Sequence, residues 1–304
     1  MKINILVVTY NHEKYIGRFL DSIICQKDYG INKIILSDDK STDNNTKVIN
    51  EYIARYPNLI ELHENPVNLG VYGNFNHLLE IKGDADLYYI VAGDDAFCDG
   101  FFKQVQYFCN KKKLNAKDRF MMFFDWKIVK PNGKEVVVRN SKVNNKKHIT
   151  SLKLRNYIYI RSTFVSRGTI NLCKPVSLDG GVILSEILYD IQPIQKSMSF
   201  YYESIVGSIY YSQIGVSQTY RGTEIRKRCL KGWELVPEHL KLSKSDKCYV
   251  NMQLAKYKFS LDRKVSYLLK FFKNYILCKN PALGLDIKSE FIMLRSIFKL
   301  IVNG

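Results

Sequence analysis

The sequence predicts an α/β fold: a mostly parallel central sheet flanked by helices, with a helical extension at its C-terminal end. Three features point there. Short apolar runs alternate with amphipathic stretches through the first hundred residues, the pattern of βαβ units and a parallel sheet. Each run ends in a polar turn bearing carboxylates, amides or glycine. Towards the C-terminus the chain turns strongly basic. The expected division is an α/β domain over 1–222, with halves 1–100 and 101–222, and a basic helical region over 223–304.

Ile3–Thr9 is a continuous apolar run, as a strand buried on both faces should be. Over 13–26, Ile16, Phe19, Leu20, Ile23 and Ile24 recur at the three-and-four spacing of an amphipathic helix. A second strand is predicted at 33–37. The polar loop Asp38-Asp39-Lys40-Ser41-Thr42-Asp43-Asn44 follows, and its later residues can cap a helix that runs to Tyr56 and stops at Pro57. A third strand is predicted at 59–63. The turn-rich Asn65-Pro66-Val67-Asn68-Leu69-Gly70 precedes a short helix at 72–81, and Leu87–Ala92 is the fourth strand.

The second half is less regular. Runs at 119–129 and 135–139 flank Pro131-Asn132-Gly133-Lys134, a hairpin signal. Residues 141–148 read as a polar, basic loop. Helical pattern returns at 151–159 and over 182–203, with Pro193 as a kink. A strand at 208–212 leads to Gln218-Thr219-Tyr220-Arg221-Gly222.

Composition narrows the class. A chain of 304 residues, 46% hydrophobic and 25% charged, can bury a large core. Its seven cysteines are scattered without a Cys-x-x-Cys pair, which argues against zinc and a disulfide framework and for a reducing compartment. The first apolar run is short and lacks a cleavage site for a signal peptide. No run of about 18 apolar residues occurs. The expected location is the cytoplasm, free or peripheral on the inner face of the membrane. Net charge is +17, and from Arg226 onward 17 Lys and Arg face 6 Asp and Glu, so +11 of the excess lies in the tail.

Right-handed crossovers bring the carboxyl ends of parallel strands to one edge. Thr9-Tyr10, Asp38-Asp39, the 68–70 loop and Asp94-Asp95 should therefore converge on one crevice, where open α/β sheets bind ligands. The chain has no Gly-x-x-x-x-Gly-Lys, and no Gly-x-Gly-x-x-Gly after the first strand. It is neither a P-loop NTPase nor a dinucleotide-binding dehydrogenase. Without a glycine cradle, a diphosphate would need a metal. The hard carboxylate oxygens of Gly93-Asp94-Asp95 suit Mg²⁺ or Mn²⁺.

The ordered set Ile5-Leu6-Val7-Val8-Thr9-Tyr10-Asn11, Ser37-Asp38-Asp39-Lys40-Ser41-Thr42-Asp43, Asn68-Leu69-Gly70 and Gly93-Asp94-Asp95 resembles the family 2 glycosyltransferases with a GT-A fold. The resemblance is strong over about residues 3–100 and weak over 180–222. It implies a nucleotide-sugar donor, a UDP-sugar first, and transfer with inversion at the anomeric carbon. Residues 1–100 would be the nucleotide-sugar-binding half and 101–222 the acceptor-binding half. Thr9, Tyr10 and Asn11 would line the nucleoside pocket, and Asp39 would accept from the base. Asp38 matches a more variable acidic position, and Gly70 and Asn76 match a loop and helix beside the nucleotide. Gly93 and Asp94 match the metal motif, whose usual first Asp is Ala92 here. Asp94 would contact Mn²⁺ or Mg²⁺, with Asp95 as the next ligand or as a group orienting the acceptor.

An inverting transfer needs a general base on the acceptor hydroxyl, which this family places at the start of a helix in the second half. Asp190 is the first candidate, Glu186 the second and Asp179 the third. Asp190 and Glu186 stand four residues apart on one helical face. Gln218-Thr219-Tyr220-Arg221 resembles the Gln-x-x-Arg motif of processive synthases, but the following Trp is replaced by Gly222 and membrane spans are lacking, which favours addition of one sugar. Arg221 would pair with the leaving diphosphate.

In the tail, 263–278 projects Val265, Leu268, Leu269, Phe272, Tyr275 and Ile276 onto one helical face, with Arg263, Ser266, Lys270, Lys273 and Asn274 opposite. Such a helix lies in an anionic membrane interface or packs on the catalytic domain. The expected acceptor is a glycan or lipid-linked saccharide of a bacterial surface-polysaccharide pathway. Two other readings compete. A nucleotidyltransferase would show a Gly-rich basic loop where Thr9-Tyr10-Asn11-His12-Glu13 stands. A basic nucleic-acid-binding protein would not line its cleft with Asp38, Asp39, Asp94 and Asp95, so no nucleic-acid partner is expected.

Overall fold

A computed structural model of the chain describes residues 1–140, 162–175, 187–212, 214 and 222–278. The loop expected at 141–148, the helix at 151–159 and the 218–221 motif lie outside them. The elements run β1 (Ile3–Thr9), α1 (Ile16–Ile24), β2 (Ile31–Asp38), α2 (Asn45–Arg55), β3 (Ile60–Glu64), α3 (Gly70–Ile81), β4 (Leu87–Ala92) and β5 (Ala96–Phe97). They continue with α4 (Phe101–Lys111), β6 (Phe120–Val129), β7 (Glu135–Val138), β8 (Thr163–Ser166), α5 (Arg167–Ile170), α6 (Ile187–Lys196) and β9 (Ser199–Tyr211). Three helices follow: α7 (Gly222–His239), α8 (Lys244–Asp262) and α9 (Val265–Cys278). The described residues divide into two compact units, the first taking in 1–140, 162–175, 189–212 and 214, the second 187–188 and 222–278.

Among the described residues one sheet forms in the order β3-β2-β1-β4-β8-β6-β9-β5, with β7 paired to β6. Strands β3, β2, β1 and β4 are parallel. β8 enters antiparallel between β4 and β6, and β9 is again parallel to β6. The apolar runs make this arrangement stable, since a strand covered by helices on both faces must be apolar on both. Ile3, Ile5, Leu6 and Val7 of β1 are all fully buried. Beneath β4, Tyr89 meets Phe97 and Phe164 edge-on at 4.9 Å each, geometry that adds roughly 0.5–1.5 kcal/mol per pair beyond burial.

Register is what builds the site. Thr9 lies opposite Asp38, Val8 opposite Ala92 and Asp38 opposite Glu64. The strands therefore end within one residue of each other, and Tyr10, Asp39, Asn65 and Gly93 follow them along one sheet edge.

Several boundaries differ from the sequence expectation. The pattern at 182–203 is helical only over α6 among the described residues, and Ser199 onward is strand. Phe200, Tyr201 and Tyr202 have strand propensity, and pairing with β6 from Phe120↔Ser199 onward realises it. The strand expected at 208–212 is the end of this 13-residue β9. Helix α4, with Phe101, Phe102, Val105, Phe108 and Cys109 buried, and the short strands β5 and β8 add to the expected elements.

In the second unit, Ser243 caps α8 by accepting from Asp246 N at 3.1 Å. Trp233 of α7 meets Tyr249 of α8 edge-on at 5.6 Å. Helix α9 packs on α8, but not through the expected face. Phe271 is the buried residue, while Val265, Leu269 and Phe272 are exposed. The side chains of Tyr275 and Ile276 lie outside the description.

Candidate active site

The row of strand ends is tied together by side chains. At the end of β1, Asn11 adopts φ 55°, a left-handed conformation that Asn tolerates. Its Oδ1 accepts from Thr42 N at 2.8 Å, and its own N–H donates to Ser41 Oγ at 2.9 Å. The loop after β1 is thereby bound to the loop after β2. Tyr10 projects from this junction with 41% of its surface exposed.

The two carboxylates after β2 play different parts. Asp38 is buried and saturated: Oδ2 accepts from Ser41 N at 2.8 Å, and Oδ1 from Ser41 Oγ and from Asn45 Nδ2 at 2.8 Å. It organises the loop. Asp39 is held under the 65–70 loop, Oδ1 accepting from Leu69 N at 2.7 Å and from Asn65 Nδ2 at 3.1 Å. Its backbone is pinned on both sides, N–H to Thr9 O and C=O from Asn68 Nδ2. Burial pushes the Asp39 carboxyl above the usual range, against the lowering pull of the Leu69 and Asn65 hydrogen bonds. Gly70 takes φ +71° as the chain enters α3, with open space where a Cβ would stand.

Asn74 joins the network directly. Its Nδ2 donates to Ser37 O at 3.0 Å and its Oδ1 accepts from Asn65 Nδ2 at 3.2 Å. Asn76 is half-buried two residues along α3.

At the end of β4, Gly93 N donates to Val8 O at 3.0 Å. A Cβ at Gly93 would stand 2.7 Å from Ile16 Cδ1, 3.2 Å from His12 Nδ1 and 3.3 Å from Thr9 Oγ1, so only glycine fits here without displacement. Asp94 follows, its side chain 14% exposed and its carbonyl accepting from Arg18 at 2.9 Å. Arg18 also lies over the Tyr211 ring, 3.5 Å from its centroid, and so joins the end of β9 to this turn. Asp95 is buried. Burial raises the Tyr89 phenol, and the nearby Asp95 carboxylate adds to that.

His12 is the partner of Asp94 that sequence reasoning missed. Asn45 Nδ2 donates to Thr9 Oγ1 at 2.9 Å, and the same hydroxyl is hydrogen-bonded to His12 Nδ1 at 3.3 Å. The other ring nitrogen, Nε2, faces Asp94 Oδ2 at 3.9 Å. Burial lowers the His12 pKa against the opposing charges of Asp94, Asp43 and Asp38, which favours the neutral ring. Among the described residues no three His, Cys, Asp or Glu side chains form a metal cage. Mg²⁺ and Mn²⁺ bound with substrate phosphates need only one or two carboxylates, water and the phosphates themselves. Asp94 meets that requirement.

Of the expected site residues, Thr9, Tyr10, Asn11, Asp38, Asp39, Gly70, Gly93 and Asp94 share this sheet edge. Asp190 lies in α6, and its side chain, like Glu186, Asp179 and Arg221, falls outside the description.

The model for the family described as Glycosyl transferase family 2 matches residues 4–169. The chain belongs to glycosyl transferase family 2. Over 106 residues it is 35% identical to the uncharacterized protein Rv1520 of Mycobacterium tuberculosis, covering 34% of this chain and 30% of that protein. It is 40% identical over 74 residues to a poly(ribitol-phosphate) beta-glucosyltransferase of Bacillus spizizenii, covering 23% and 11%. The family 2 chain thus spans less than a third of these curated relatives. Residues 1–349 of S. aureus TarS in complex with UDP-GlcNAc superpose with TM-score 0.58 at 16% identity, over 90% of this chain and 79% of that one. The mannosyltransferase PcManGT from Pyrobaculum calidifontis, in complex with GDP-Man and Mn2+, gives TM-score 0.53 at 11% identity, over 99% and 87%. At these identities the likeness is one of fold, the GT-A fold.

Proposed function

We propose that the chain is an inverting, metal-dependent glycosyltransferase that moves one sugar from a nucleotide-sugar, a UDP-hexose or UDP-N-acetylhexosamine, to a glycan or lipid-linked glycan acceptor in bacterial surface-polysaccharide synthesis. The observation that carries this reading is the placing of Asp39 and Asp94 along one sheet edge at the ends of β2 and β4. Asp39 Oδ1 is occupied by Leu69 and Asn65, and the Gly70 N–H also draws on the carboxylate; we assign the remaining acceptor capacity of Oδ2 to a ligand N–H such as uracil N3. Tyr10, exposed beside it, offers a ring for the base to stack on.

Asp94 holds Mn²⁺ or Mg²⁺, with Asp95 or His12 as the neighbouring group. A metal bound there would offset the negative charge of the leaving diphosphate. During transfer the acceptor oxygen bonds to the anomeric carbon as the bond to the diphosphate breaks on the opposite face, and the hydroxyl proton passes to a carboxylate. We assign that base to Asp190, with Glu186 next and Asp179 third, and assign Arg221 to the departing diphosphate. TarS with UDP-GlcNAc and PcManGT with GDP-Man and Mn2+, both of this fold, support a nucleotide-sugar donor in general.

The test is a donor screen: UDP-, GDP- and dTDP-sugars with Mn²⁺, reading nucleoside diphosphate release, then NMR of the product's anomeric configuration. Release from a UDP-sugar with inversion is expected. No release from any donor, or a retained configuration, would overturn the proposal.

A further inference from the structure

Helix α9 is packed on one side only. Phe271 is 1% exposed, and Tyr267, Leu268 and Asn274 are half-buried around it. The opposite side shows Val265 at 66%, Leu269 at 65% and Phe272 at 38% exposure. These three recur at i, i+4 and i+7, so they form a continuous stripe rather than the scattered apolar residues any surface carries. Lys270 and Lys273, both exposed, run along one border of the stripe, and exposed Arg263 and Lys264 stand at its N-terminal end. Residues 263–273 hold four cations and no carboxylate, the preceding Asp262 being the nearest. No described helix is long and apolar enough to cross a membrane.

We infer that this face of α9 docks on an anionic bilayer surface. Val265, Leu269 and Phe272 enter the boundary between headgroups and acyl chains, while Arg263, Lys264, Lys270 and Lys273 meet lipid phosphates. Charge decides between occupants. A second copy of the same face would set four cations against four, whereas an anionic headgroup layer neutralises them. The inference does not rest on the proposed donor chemistry, and either can fail alone.

The experiment is co-sedimentation of the full chain with phosphatidylcholine vesicles, with and without phosphatidylglycerol, at low and high salt. Binding to the anionic vesicles alone, weakened by salt, is expected. Lys270→Gln with Lys273→Gln should lower the partition coefficient about thirtyfold, and Leu269→Ser with Phe272→Ser should abolish binding. Circular dichroism and thermal unfolding of each variant serve as the fold control. Three results would overturn the inference: no vesicle binding by the wild type, undiminished binding by well-folded variants, or a dimer in light scattering that Leu269→Ser with Phe272→Ser dissolves.

Discussion

Replacing Asp39 by Asn exchanges one carboxylate oxygen for an amide nitrogen at nearly constant volume. The remaining oxygen still accepts from Leu69 N at 2.7 Å and Asn65 Nδ2 at 3.1 Å, so the 65–70 loop stays anchored. What changes is the other atom, from acceptor to donor. Against uracil N3–H, a hydrogen bond to an ionised acceptor becomes two donors facing each other. A loss of roughly 2–3 kcal/mol follows, about 30- to 150-fold in UDP affinity. Stability should move the other way. Burial raises the Asp39 carboxyl, so between its ordinary and raised values the folded chain binds more protons than the unfolded one. The native state therefore loses stability as pH rises through that window and carries the penalty above it. Neutral Asn carries none. Calorimetric titration with UDP, paired with thermal unfolding at acid and neutral pH, reads both effects. Asp39→Asn should bind UDP poorly yet unfold no earlier than wild type at pH 7, with any advantage shrinking in acid. Unchanged UDP affinity would refute the role of Asp39 as base reader. Destabilisation at neutral pH would refute the account of its burial.

Three further outcomes test the supporting structure. Asp38→Ala leaves Asn45 Nδ2 and the Ser41 N–H and hydroxyl without their acceptor, and should cost about 3 kcal/mol in denaturant unfolding. Gly93→Ala places a methyl 2.7 Å from Ile16 Cδ1 and against His12 and Thr9; about 1–3 kcal/mol should be lost in thermal unfolding, together with weaker Mn²⁺-dependent nucleotide binding. Asp190→Asn should lower kcat by about 10²- to 10⁴-fold with UDP affinity intact in calorimetry, and a deeper loss in Glu186→Gln would move the base to Glu186.

Which parts of the site are legible in the sequence follows from how each is built. Asp39 and Asp94 stand directly after apolar runs, and strands that end within one residue of each other put whatever follows those runs along one edge. Asn45, Asn65 and Asn74 are different: each is a buried amide whose partners lie on other elements, and nothing local separates a buried Asn from a solvated one. His12 belongs to both groups, being three residues from Thr9 in a recognisable motif while its facing partner Asp94 is remote in sequence. Helix α4 has a clear apolar face but begins after Gly100 in a left-handed conformation, with no side-chain cap to announce it. In α9 the apolar residues exceed what one packed face can cover. Periodicity identifies the helix but not which of Phe271 and Phe272 turns inward, and packing on α8 chooses Phe271.

The central claim is that Asp94 and a divalent metal together hold a nucleoside diphosphate at this sheet edge. Titration calorimetry of UDP, GDP and dTDP, with and without Mn²⁺, on wild type and Asp94→Ala tests it most directly. Micromolar binding of UDP that requires both Mn²⁺ and Asp94 is the predicted result. Equal binding by Asp94→Ala, or no binding of any nucleotide under either condition, would contradict it.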